Sequence, residues 1–303
     1  VTAPAVIQPH TADTYAHQAL ALIAQHRLLT STQLHQMLMP HVPPRKIHKV
    51  LAPLRAEGLI AHTSLGVRSG LKAHFLTAAG AQAVANWPEL RGRTATVIAS
   101  PAAASMRAAH TLTGVRAHLT FLAEARERGD EYQALDWVPE VTHRLPDTGG
   151  EDRLIADAVL HYTAARPRRL QYRAFVEIDR TTMSSERLAR KLITYARFHD
   201  YTPQPAGRRG TVADQGAALF AWQRFYPRFP RILFVLTGAP RATLTARIAD
   251  LRRMTADHDL VTCLASHVPL GAAVLEDLEE VGPSGPVWTP LAGTGERRGW
   301  MQL

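Results

Sequence analysis

The stretch from residue 44 to residue 77 restricts the fold more than any other part of this chain. Ile47, Val50, Leu51 and Leu54 recur at i, i+3, i+4 and i+7, so the spacing predicts a helix over 44–57 with one buried face. Gly58 stops it, and Pro53 inside it predicts a kink or an earlier end. Two short runs of strand character follow, 59–63 and 73–77, joined by a Gly-containing hairpin segment that carries Arg68 and Lys72. The helix and the hairpin each offer one apolar side, so neither can bury that side alone. Their partners stand upstream. Leu20, Leu22, Ile23 and Leu28 space a helix over 14–27, and Thr30 caps a second helix with Leu34, Met37 and Leu38 as its stripe. Thr77 caps a fourth, through Ala85. Three helices, a two-stranded hairpin and a closing helix make a winged helix-turn-helix over 13–90, after a loose Pro-, Ala- and Thr-rich tail at 1–12.

The rest of the third helix surface is basic: Arg45, Lys46, His48, Lys49 and Arg55. A helix end bearing Arg45, Lys46 and Lys49 suits the major groove of double-stranded DNA, and a wing bearing Arg68 and Lys72 suits its phosphates. The bland alternatives are the same fold used for protein contacts, or a merely solvated basic face. Lys and Arg total 35 against 26 acidic residues, a formal charge of +9. That balance favours a polyanionic partner, although a GC-rich genome biases composition in the same direction.

At 303 residues the chain has room for a second domain. Residues 91–104 read as a linker, and 105–303 as the second domain. A helix is expected over 105–128, with Leu112, Val115, Leu119 and Leu122 as its stripe, then a strand within 132–145 and a turn at 147–150. Strands over 153–160 and 170–179 precede a helix capped by Ser184 or Ser185. After a Pro-, Gly- and Arg-rich loop at 201–218 come a strand at 232–236, a helix at 243–254 and a last strand at 260–265. The segment from 281 has no clear assignment. This order argues an α/β (α+β) domain built on a mixed sheet.

Strand alternation puts Asp157 on one face with Ile155 and Val159, and Glu177 and Asp179 on one face with Phe175. Three carboxylates on adjacent strands suit Mg²⁺, which would activate a water and stabilise charge on a phosphodiester. Lys191 on the next helix completes a candidate catalytic set of Asp157, Glu177, Asp179 and Lys191. The competing reading is an acidic pair salt-bridged to Arg153, Arg180 or Arg187. The single cysteine, Cys263, excludes a disulfide framework and is expected as a packed thiol. The 15 histidines are scattered and show no zinc spacing, and there is no phosphate-binding Gly-rich loop or Gly-x-Ser-x-Gly elbow. Tyr195, four residues after Lys191, reads as a core aromatic rather than a nucleophile. No apolar run reaches the roughly 18 residues of a membrane span and no signal-peptide pattern opens the sequence, so the expectation is a cytoplasmic protein without a membrane partner.

Several motifs together resemble one family. Leu29-Thr30-Ser31-Thr32-Gln33-Leu34, Leu54-Arg55-Ala56-Glu57-Gly58-Leu59-Ile60 and Phe75-Leu76-Thr77-Ala78-Ala79-Gly80 resemble the winged helix of actinobacterial replication-relaxation proteins, which plasmids and integrative elements encode. Phe175-Val176-Glu177-Ile178-Asp179-Arg180-Thr181-Thr182, with Lys191-Leu192-Ile193-Thr194-Tyr195, resembles that family's second signature, and the likeness runs from about residue 15 to 290. The second domain also resembles the core of PD-(D/E)XK restriction endonucleases, with Asp157 matching the first acid and Glu177 the second. It departs from that pattern at Ala156, where Pro is expected, and at Asp179, where Lys is expected. Either Lys191 replaces that lysine from the helix, or the domain descends from a nuclease without cutting. The resemblance implies a DNA-binding protein that controls replication or transfer of a plasmid or integrative mobile element. Two alternatives stand beside it: a Mg²⁺-dependent endonuclease or nickase, and a dimeric winged-helix transcriptional regulator. The partners implied are double-stranded DNA, a second copy of the chain, and replication or conjugation proteins.

Overall fold

Thr30 ends a buried two-residue strand and starts a helix in the same step. Its hydroxyl accepts from Gln33 N at 3.1 Å while Gln33 Oε1 accepts from Thr30 N at 3.1 Å, a reciprocal cap that closes both orphan amides. The computed structural model describes residues 12–66, 70–145, 153–203 and 220–303. The tail at 1–11, Arg68, the turn at 147–150 and most of the loop at 201–218 lie outside these described residues. Two units emerge, Val1–Leu119 and Thr120–Leu303, and the division falls inside one long helix, α5.

The first unit contains α1 (Ala12–His26), β1 (Leu29–Thr30), α2 (Ser31–Leu38), α3 (Lys46–Ala56), β2 (Ile60–Ser64), β3 (Lys72–Leu76) and α4 (Ala78–Val84). Its sheet has three antiparallel strands, ordered β1-β3-β2, rather than the two expected. β1 adds itself through Leu29↔His74 and Thr30↔Ala73. Ile47, Val50, Leu51 and Leu54 are the buried stripe of α3, and the helix continues past Pro53 to Ala56. Gly58, at φ +70°, then reverses the chain. At Gly80 a Cβ would lie 2.0 Å from Leu59 O, so glycine lets α4 close onto the entry to β2.

α5 (Pro101–Arg128) starts before the expected residue 105. Ser100 Oγ accepts from Ala103 N at 3.2 Å and Pro101 takes the first turn, so cap and proline together start the helix here.

The second unit carries a six-stranded mixed sheet ordered β4-β5-β6-β7-β8-β9. Its elements are β4 (Trp137–Arg144), β5 (Arg153–Ala164), β6 (Leu170–Asp179), α6 (Ser185–Asp200), β7 (Arg231–Leu236), α7 (Arg241–Thr255), α8 (Asp259–His267), β8 (Leu270–Val274), α9 (Leu275–Val281) and β9 (Thr289–Pro290). β4, β5 and β6 run antiparallel, β6, β7 and β8 run parallel, and β9 is an antiparallel edge. The strand expected at 260–265 is instead α8. Val261 and Leu264 are buried while Thr262 and Cys263 are exposed, which is helical spacing. Cys263 is therefore an exposed thiol, not a packed one.

One face of this sheet packs Phe175, Phe234 and Leu236 with Leu188, Leu192 and Tyr195 of α6 and Leu244 and Ile248 of α7. A second aromatic group joins Phe121 of α5, Tyr162 of β5 and Trp300, with Trp300 edge-on to Phe121 at 5.4 Å and to Tyr162 at 5.2 Å. The architecture is thus mixed α+β. No helix among the described residues is long and apolar enough to cross a membrane.

Candidate functional site

Each unit gathers its own candidate group. In the first, α3 buries Ile47 and Val50, which turns Arg45, Lys46, His48 and Lys49 outward, all exposed. Lys72, first residue of β3, is exposed as well.

Two histidines on neighbouring strands lie beside part of this group. His62 on β2 faces His74 on β3 in register, with ring centroids 6.0 Å apart. The His74 imidazole is pushed down to about 4, first by burial and then by His62, Arg55, His48 and Lys72. His62 is lowered by burial, Lys72 and Arg55. Arg55 of α3 and Lys72 of β3 therefore both lie near the two imidazoles. Nothing in the spacing of the histidines singles these two out, because only the strand register brings them together. His74 Nε2 and Ser31 Oγ lie 2.9 Å apart, which ties the ring to α2.

In the second unit the β5–β6 ladder places Ala158 opposite Val176, and Asp157 and Glu177 follow just beyond that pair. Asp157 Oδ2 accepts from Ile178 N at 2.8 Å. Glu177 is 3% exposed. Tyr195 OH donates to its Oε1, and Lys191 Nζ lies 3.4 Å from its Oε2 while donating to Ile155 O at 2.5 Å. Lys191 and Tyr195 reach the same carboxyl because residues four apart share a helix face. Burial raises the Glu177 carboxyl to about 8, helped by the Asp157 charge and opposed by Lys191 and the Tyr195 hydrogen bond. Tyr195, read from the sequence as a core aromatic, is fully buried and also a direct partner of Glu177.

Asp179 goes elsewhere. It is 1% exposed, and its Oδ2 accepts from Arg247 Nη2 of α7 at 2.6 Å. The same nitrogen donates to Met183 O at 2.7 Å, so Arg247 fastens the end of β6 to the loop before α6. The structure thus brings Asp157, Glu177 and Lys191 together with Tyr195 and gives Asp179 to an arginine. That arginine is none of the three expected, Arg153, Arg180 or Arg187. Among the described residues no three His, Cys, Asp or Glu side chains are grouped to hold a metal ion. Mg²⁺ often takes only one or two carboxylates and keeps several waters. Asp157 and Glu177 fit that smaller role by type, once the Glu177 oxygens are released from Tyr195 and Lys191.

The sequence model of a family described as replication-relaxation matches residues 20–213. No curated protein and no solved structure matches the chain. The matched stretch contains the α3 cations as well as Asp157, Glu177, Asp179 and Lys191, and it stops before β7 and Arg247.

Proposed function

The chain belongs to the replication-relaxation family, and from that premise we propose that it binds double-stranded DNA of a plasmid or integrative mobile element and controls replication or transfer of that element. In this reading the first unit is a winged helix-turn-helix with α3 as its recognition helix. One observation carries it: α3 turns Arg45, Lys46, His48 and Lys49 to solvent above a fully buried apolar stripe. Such a face has no role in the core, and cationic helix faces neutralise phosphates with release of counterions. Lys72 and Arg55 add two further cations near His74, whose imidazole is lowered first by burial and then by its charged neighbours. Arg68, beside them in sequence, is assigned to the wing on sequence grounds alone.

The test is duplex binding as a function of salt. Lys46→Ala and Lys49→Ala are each expected to weaken affinity and to reduce the slope of log K against log salt by about 0.9 per lost phosphate contact. Unchanged affinity and slope in both variants would remove α3 as the DNA-reading element.

A second reading, a metal-dependent endonuclease or nickase, is favoured by the meeting of Asp157, Glu177 and Lys191. Asp157 and Glu177 would hold Mg²⁺, which when bound supplies an activated water and charge stabilisation. Lys191 would face the charge that develops on the phosphate. Asp179, engaged by Arg247, serves the fold in this scheme. Supercoiled plasmid incubated with Mg²⁺ or Mn²⁺ decides the matter. Nicking by the wild type that is absent in Glu177→Ala supports cutting, whereas duplex binding without any nicking leaves a binding protein with a nuclease-like scaffold.

A further inference from the structure

Residues 220–229 read Phe-Ala-Trp-Gln-Arg-Phe-Tyr-Pro-Arg-Phe, half of them aromatic in a chain that is 7% aromatic overall. Part of this enrichment is explained by packing. Tyr226 is buried, stands edge-on to Phe175 at 5.4 Å, and its hydroxyl lies 3.0 Å from His143 Nε2. Phe229 packs against Phe175 at 5.6 Å, and Trp222 Nε1 donates to His199 O at 3.0 Å. Those three rings fasten the segment to β6 and α6.

Phe225 and Phe220 are explained that way only in part. Phe225 lies against the buried His143 ring, with centroids 5.0 Å apart, yet is 61% exposed, and Phe220 is 36% exposed. Phe220 lies nearly parallel to Trp222 (9°) and to the His199 ring (17°), with centroids 6.3 Å away in both cases. Aligned, partly open rings are a surface on which flat aromatic groups can stack. Arg224, between Phe220 and Phe225 in sequence, and Arg228, three residues after Phe225, are both exposed, and no ion pair among the described residues includes either. Apolar rings alone would suit a protein partner. Rings interleaved with unneutralised arginines instead match a chain that offers flat bases and phosphates in alternation.

We infer that the segment 220–229 is a base-stacking platform for single-stranded DNA, with Phe225 and Phe220 carrying bases and Arg224 and Arg228 the phosphates. This goes beyond duplex binding by α3, which lies in the other unit. The platform and the carboxylate group share one helix: Lys191, Tyr195 and His199 stand four apart along α6, so the two Glu177 partners lie about 6 and 12 Å along the helix from His199.

The experiment uses the full chain and two probes side by side, a fluorescein-labelled oligo-dT of about 20 nucleotides and a labelled duplex, read by fluorescence anisotropy. The wild type is expected to bind both. Phe225→Ala is expected to weaken oligo-dT binding roughly 5- to 150-fold, the range set by one stacked base, with duplex binding unchanged. Phe225→Trp is expected to retain oligo-dT binding, and Arg224→Ala to lower its salt slope by about 0.7. Oligo-dT affinity within twofold of wild type in Phe225→Ala overturns the inference. So does equal loss of both probes, or a wild type that binds duplex and ignores oligo-dT. A wild type that binds oligo-dT through Phe225 but not the duplex leaves this inference standing and removes the α3 reading instead.

Discussion

Glu177 sits where its own ionisation works against the fold. Its carboxyl is raised from 4.5 to about 8, so the folded protein holds this proton more tightly than the unfolded chain does. The resulting stability is complete below pH 4.5 and is lost as pH rises through about 8. His74 and His143, both lowered from 6.5 to about 4, act in the opposite sense, and their contribution is lost as pH falls from 6.5 through 4. Between 6.5 and 8 the carboxyl therefore acts without these two. Glu177→Gln keeps the shape and removes the charge. Relative to this variant, the wild type is expected to lose about 1.5–2 kcal/mol in urea denaturation between pH 6.5 and 8, a little under the limiting slope of about 1.4 kcal/mol per pH unit. Parallel pH courses for the two proteins would show that Glu177 is ionised across the whole window. Local spacing made the residues of this group legible. Asp157, Glu177 and Lys191 follow from strand alternation and the helix after it. The separation of Asp179 from them did not, because it depends on Arg247, 68 positions away on a helix whose crossing no local pattern encodes.

At the scale of elements, legibility followed the strength of the local signal. α2 and α4 start where Thr30 and Thr77 place them, since a hydroxyl cap is a contact within four residues. β5 and β6 are long enough for alternation to speak. β1 is two residues long and exists only because β3 offers it an edge, so nothing in Leu29-Thr30 announces a strand. α8 failed for a different reason. Its apolar run is short, and strand and helix templates fit such runs equally until burial separates Val261 and Leu264 from Thr262 and Cys263. At α5 the start signal was present as Ser100-Pro101, yet a composition of small residues made the stretch look like a linker. Pro53 shows the reverse case, a helix breaker overridden within α3. Its missing amide costs one intrahelical bond, while Leu54 beyond it is still buried in the unit's core.

For the molecule as a whole, the family signature and the physical unit do not coincide. The family match ends at residue 213, but β7, β8 and the segment after α9 complete the sheet that holds Glu177. That segment, without a legible assignment in the sequence, is core. Trp288 and Trp300 are both fully buried. Arg231, on β7, donates to the carbonyls of Trp300, Met301 and Leu303 at 3.2–3.3 Å. At Gly271 of β8 a Cβ would come within 2.6 Å of the Leu303 side chain, so the strand and the segment fit without spare room. Trp300 touches Phe121, Tyr162 and Tyr172 at once, which joins α5, β5 and β6 through one ring. Deleting a ring so enclosed removes its burial and leaves a cavity that close-packed neighbours fill only in part. Trp300→Ala is therefore expected to destabilise the second unit by about 3–5 kcal/mol in chemical denaturation. A cost under about 1 kcal/mol, the range of ordinary surface substitutions and a little beyond, would mean that this segment lies on the sheet without supporting it. The sheet, and with it the Asp157–Glu177–Lys191 group, would then be maintained by the elements up to α9 alone.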